Sequence, residues 1–155
     1  MSVNRPAPAA VETSPLSERR RVGLLALALA ASWASMLFHN QELPLTLLDV
    51  ENTGPLVFDI ALLVGCWWRP SSRVVWTVIL IWGLINMVIG GLVTVLPLPV
   101  LPFTPAQTVE HYAVHAVYAV GQLPLVFLAG AALRRLRNIK QPIGANGGHD
   151  DRADD

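Results

Sequence analysis

The sequence predicts an all-α integral membrane protein: a four-transmembrane-helix bundle, both termini inside, with a short re-entrant stretch before the second helix. Three observations carry this reading. Apolar residues make up 53% of the 155-residue chain and charged residues 14%, a surplus unusual for a soluble protein. The apolar residues gather into runs near the roughly 20 residues that a helix needs to cross a hydrocarbon core about 30 Å thick. Basic residues are confined to alternate connections between the runs.

The first span covers about 22–40, an Ala/Leu-rich run behind Arg19, Arg20 and Arg21. The second covers 55–68, from Pro55 to Trp68, and the third 74–96. The fourth covers about 105–133. Thr104-Pro105-Ala106-Gln107 reads as its start, with a Thr cap, Pro at the first helical position and Gln three residues after the cap. Pro124 lies inside this span and removes the bond to the Val120 carbonyl, which predicts a kink. The flanks 1–18 and 141–155 are polar and rich in Pro, Gly, Ala or Asp, and read as disordered cytoplasmic tails around a 19–140 membrane domain. Small residues at Ala31, Ala34 and Ser35 leave a rival reading of the first span as a cleaved signal peptide.

Orientation follows from charge. Arg19 to Arg21 precede the first span, Arg69 and Arg73 join the second and third, and Arg134, Arg135, Arg137 and Lys140 follow the fourth. The other two connections, 39–54 and 97–104, carry no Lys or Arg, so both termini are expected in the cytoplasm. Trp67, Trp68 and Trp76 then fall at the cytoplasmic interface. Arg far outnumbers Lys, which with abundant Ala, Val and Leu suggests a bacterial plasma-membrane protein. Zero net charge gives no reason to expect nucleic acid as a partner. Cys66 is the sole cysteine, so an internal disulfide or a Cys-based zinc site is excluded; its place beside Trp67 reads as packing.

Depth can be counted along the helices. Asp59 lies ten residues before Arg69, roughly 15 Å up and near mid-bilayer, with no basic residue at its level. It is expected to be protonated, hydrogen-bonded to Asn86, Tyr118 or Gln122, or neutralised by a cation. On the fourth span Gln107, His111, His115, Tyr118 and Gln122 fit within an arc of about 80°, a single polar stripe. Ser32, Ser35 and His39 make a shorter stripe on the first span; Gly83, Asn86, Gly90 and Thr94 share a small and polar face on the third. These seams predict a polar interior that opens outward. Span two, at about 21 Å, starts below the outer surface, so Leu43 to Gly54 is expected to dip inward as the re-entrant stretch. The Pro-rich connection L-P-L-P-V-L-P-F-T-P is expected to lie over the mouth like a lid.

Two sets of candidate residues follow. Asp59, Asn86, Tyr118 and Gln122 form a ligand- or proton-binding set. His111 and His115, at i and i+4, share a face, and with His39 and an oxygen from Glu42, Asp49 or Glu51 they could hold a divalent metal such as Zn²⁺ or Cu²⁺. A b-type haem between His39 and His115 is disfavoured, because axial histidines this close to the surface have no second pair below them. A zinc-peptidase reading fails. Glu110 precedes His111, and Tyr112 stands where the general base belongs.

No catalytic residue is assigned. The reading ranked first is a binding module whose outward polar cavity takes a metal ion, a proton or a small ligand. The alternatives are an accessory subunit of a larger membrane complex, or a membrane enzyme acting on a lipid-like substrate. The bilayer is the expected environment, and a homo-oligomer or larger assembly fits the small size.

Overall fold

A computed structural model of the protein describes residues 15–41, 43–101 and 104–138. The chain is all-helical there: α1 (Pro15–Asn40), α2 (Val50–Trp68), α3 (Arg73–Ile85), a π-helical segment continuing α3 (Asn86–Val93), and α4 (Val109–Asn138). No strand occurs among the described residues. Among the described residues, three stretches are long and apolar enough to cross a membrane: Glu18–Asn40, Arg73–Val93 and Val109–Asn138. α2 approaches them in length but carries Glu51, Asn52 and Asp59.

The burial pattern is that of a protein solvated by lipid. Ser32, Ser35, Asn52, Asp59, His115 and Gln122 are buried, while Leu27, Val57, Val74, Val120 and Phe127 stand exposed on the helix exteriors. In water that arrangement would be inverted. α4 is the central element, packed on α1, α3 and the π segment; α2 packs on α1 and α3. Two close approaches depend on glycine. A Cβ at Gly121 would stand 2.2 Å from Ser35 Oγ, and one at Gly91 would stand 3.0 Å from the backbone Cα of Ala119.

The helix boundaries differ from the sequence expectation in four places. α1 begins at Pro15, inside the expected 1–18 tail, with proline at the first helical position where its missing N–H costs nothing. α2 begins at Val50 and not at Pro55. The Asp49 carbonyl accepts from the N–H groups of Asn52 (3.0 Å) and Thr53 (2.9 Å), opening the helix ahead of the proline. α2 therefore spans about 28 Å, and the expected re-entrant stretch is reduced to the turns of residues 43–49. α4 begins at Val109 and not at Pro105, because the Thr108 hydroxyl caps it by accepting from His111 N–H (3.2 Å). Gln107 is thereby left outside the helix, its amide donating to the carbonyls of Pro105 (3.1 Å) and Val95 (3.3 Å). Finally, the second half of span three winds as a π-helix, closing with a bond from Thr94 N–H to Ile89 C=O (3.1 Å), five residues back.

The arginine-bearing ends meet. Arg73 Nη2 donates to the Leu136 carbonyl (2.8 Å), tying the start of α3 to the end of α4. Glu18 and Arg19 of α1 share a cleft with Trp67 and Pro70 at the α2–α3 link. Here the core is apolar and tight, with Leu25, Cys66, Trp76, Ile79 and Leu125 fully buried. Trp76, expected at the interface, instead fills this core and donates its indole N–H to the Pro70 carbonyl (2.8 Å), whereas Trp67 and Trp68 are exposed. The tails, Glu42 and part of the Pro-rich connection (Pro102 and Phe103) lie outside the described residues.

Candidate functional site

The opposite end of the bundle holds a cavity of about 620 Å³ between the end of α1, the start of α2, the π segment and the first turns of α4. Met36, Leu43, Pro55 and Pro105 give it apolar walls, while His39, His111, His115 and Tyr118 supply polar groups, with Glu51 also lining it. A mainly apolar concavity with a few fixed polar groups is the usual form of a small-ligand site.

α1 delivers His39 in its last turn, and α4 delivers His115 from its second turn. Their Nε2 atoms are 3.1 Å apart and the rings meet edge to face, with centroids 4.4 Å apart. His111 lies one turn above, its ring centroid 4.5 Å from that of His115. The Gly90 carbonyl accepts from His115 Nδ1 (3.0 Å) and from the Thr94 hydroxyl (2.7 Å). Gly90 is needed here, since a Cβ would stand 2.5 Å from the Tyr118 ring. On the other side, His39 Nδ1 lies 2.9 Å from Asn40 Oδ1. Asn40 Nδ2 donates to Asn52 Oδ1 (2.7 Å), and Asn52 Nδ2 donates to the Thr46 carbonyl (2.7 Å). The backbone carbonyl of Asn52 in turn accepts from Trp33 Nε1 (3.0 Å).

Below this layer the polar side chains form three networks, linked through Trp82 and through a bond from Gln122 Nε2 to the Tyr118 carbonyl (3.4 Å). Tyr118 donates its hydroxyl to Asn86 Oδ1 (2.6 Å), and Asn86 Nδ2 donates to the Trp82 carbonyl (2.9 Å). Gln122, fully buried, accepts from the Ser32 hydroxyl (2.6 Å) and donates to Ser35 Oγ (3.2 Å), clamping α1 to α4. Asp59, 4% exposed, accepts from Trp82 Nε1 (2.8 Å) and lines a narrow apolar groove between α1 and α2. The expected set of Asp59, Asn86, Tyr118 and Gln122 is thus distributed over three networks. Asn86 and Tyr118 reach the cavity; Asp59 and Gln122 are not among its described lining residues.

Of the expected metal set, the structure brings His39, His111 and His115 into contact and places Glu51 on the same cavity, while Glu42 lies outside the described residues. Among the described residues, no three His, Cys, Asp or Glu side chains converge on a point suited to a metal ion. His39 and His115 touch directly, too close in this arrangement for a haem plane to lie between them.

Sequence reasoning missed Asn40, Asn52 and Trp82. Trp82 was open to discovery. An indole far from either interface needs an acceptor for its N–H, and Asp59 was the unpartnered acid at that level. Asn52 was hidden by starting the second span at Pro55.

The fold and site together define the class: an all-helical protein built for a lipid solvent, with a histidine-floored cavity at one end. Comparison with protein-family models, with characterised proteins and with solved structures gives no match to this chain.

Proposed function

We propose that this is a four-span protein of the bacterial plasma membrane, with both termini cytoplasmic, and that its outward-facing cavity is a binding module for a small ligand or ion. The observation that carries the reading is the cavity of about 620 Å³ in which the Gly90 carbonyl holds His115 and Thr94, and the Asn52–Asn40 chain from the Thr46 carbonyl reaches His39. Preorganised polar groups at the base of an apolar cavity orient a ligand at little cost in entropy. The clustering of the Arg19, Arg69–Arg73 and Arg134–Arg137 ends on the opposite side supports the orientation, because the basic end stays cytoplasmic.

The test is native mass spectrometry on protein purified in mild detergent without a histidine tag, combined with elemental analysis for Zn, Cu, Fe and Mn. Wild-type protein is expected to retain a small-molecule or metal adduct that is lost in the His39→Phe/His115→Phe double variant. Wild-type protein of bare chain mass under the gentlest release conditions would overturn the binding module and favour the accessory subunit. That second reading has its own support in α2, which packs chiefly on α1 and α3 and carries Asp59 on an apolar groove.

A further inference from the structure

The hydrogen-bond frame at the cavity floor has two fixed ends, and they determine how many protons it holds. Backbone carbonyls can only accept. Starting at Thr46, its carbonyl takes an N–H from Asn52, so Asn52 Oδ1 must face Asn40 and accept from Asn40 Nδ2. That turns Asn40 Oδ1 toward His39, and His39 Nδ1, at 2.9 Å, has to carry a hydrogen. Flipping Asn52 would set oxygen against oxygen at the Thr46 carbonyl, and flipping Asn40 alone would set its oxygen against Asn52 Oδ1. Starting at the other end, the Gly90 carbonyl obliges His115 Nδ1 to carry a hydrogen as well.

A neutral imidazole has one N–H. With both Nδ1 positions protonated, two neutral rings would bring two bare Nε2 atoms within 3.1 Å of each other with no hydrogen to join them. The same separation is an ordinary hydrogen-bond length once a proton lies between them. We propose that the His39–His115 pair is a single-cation site that holds one shared proton at rest, Nε2–H···Nε2, giving three protons on four ring nitrogens and one positive charge. The assignment rests on the cavity reading above and deepens it by naming the occupant of the floor.

The groups around the pair are consistent with a lone cation. α1 contributes Asn40, already committed as an acceptor, and the π segment contributes the Gly90 carbonyl and Asn86. α4 contributes the His111 ring and Tyr118, whose ring lies 5.4 Å from His39. α2 contributes Glu51, the one carboxylate among the described lining residues and the available countercharge across the cavity.

The test uses full-length protein labelled with ¹⁵N-histidine in lipid nanodiscs, with signals assigned through His111→Gln and the single His39 and His115 variants. Protonated and bare ring nitrogens are separated by their ¹⁵N shifts. The expected wild-type spectrum at pH 7 shows three protonated nitrogens on His39 and His115 and a through-bond coupling between the two Nε2 atoms. Two protonated nitrogens would overturn the proposal, as would near-stoichiometric metal on both Nε2 atoms in the protein as purified. Asn40→Leu removes the acceptor that holds His39 Nδ1–H, so the pair is expected to fall to two protons; a pair still holding three would show that the frame is not the cause. An intact three-proton pair in protein without any adduct overturns the cavity reading alone. An adduct retained over a two-proton pair overturns this assignment alone.

Discussion

Among the described residues Asp59 has one donor, the indole N–H of Trp82, and its carboxyl is buried. Removing the donor leaves a buried oxygen unpaired, which costs about 1–3 kcal/mol, whereas Asp59→Asn keeps an acceptor in place. Trp82→Phe is therefore expected to lower thermal stability in detergent clearly more than Asp59→Asn does. Equal effects would mean that the bond contributes little. Gln122 follows the same logic across helices. The Ser32→Ala/Gln122→Leu double variant is expected to lose less than the sum of its single variants, with a coupling of roughly 0.6–2 kcal/mol by double-mutant cycle. At this scale the sequence was partly legible. The depth count put Asp59 inside and the helical stripe put Tyr118 and Gln122 there; all three are buried, while Asn86 of the same set is half-buried. Their pairing was not legible, because a depth count fixes height along the bundle and leaves rotation between helices open.

At the scale of elements, glycine positions separate packing from propensity. Gly121 and Gly91 stand where a methyl group would collide with α1 and with α4 backbone, so Gly121→Val and Gly91→Val should each destabilise by about 1–3 kcal/mol. Nothing lies within 4 Å of a Cβ built at Gly130, so Gly130→Ala should gain stability, by up to about 1 kcal/mol from helix propensity. Thermal unfolding of the three variants side by side checks both signs. The helix count was readable from apolar runs, and the boundaries failed where a side chain or carbonyl opened a helix away from the proline that seemed to mark it. Asp49 did this for α2 and Thr108 for α4. The π winding of Asn86–Val93 left no trace in the period of apolar residues.

At the scale of the whole molecule, the buried polar interior and exposed apolar exterior define the solvent, and the arginine clusters bias the direction. Reporter fusions test the topology. Green fluorescent protein fused after Asn138 should fluoresce, and alkaline phosphatase fused after Leu48 or after Leu98 should be active. An inactive fusion at Leu48 would remove α1 from the count of spans, and an inactive fusion at Leu98 alone would remove α2 or α3. The sequence grouped the histidines at the end of the bundle away from the arginines, and His39, His111 and His115 are in contact there. A polar cavity was expected; its volume and its largely apolar walls were beyond reach, since they depend on how far α2 stands from α4.

The π segment makes the molecule sensitive to chain length at one place. A π turn accommodates more residues than an α turn, so Asn86–Val93 holds slack that the rest of α3 lacks. Deleting one residue among Met87, Val88 and Ile89 would allow the segment to rewind as ordinary α-helix while leaving α1 and α4 untouched. The Gly90 carbonyl would then rotate away from His115 by a fraction of a turn. The segment thus acts as a vernier between the tight basic end and the histidine floor, and a length variant there could detune the imidazole pair without altering any residue that lines it.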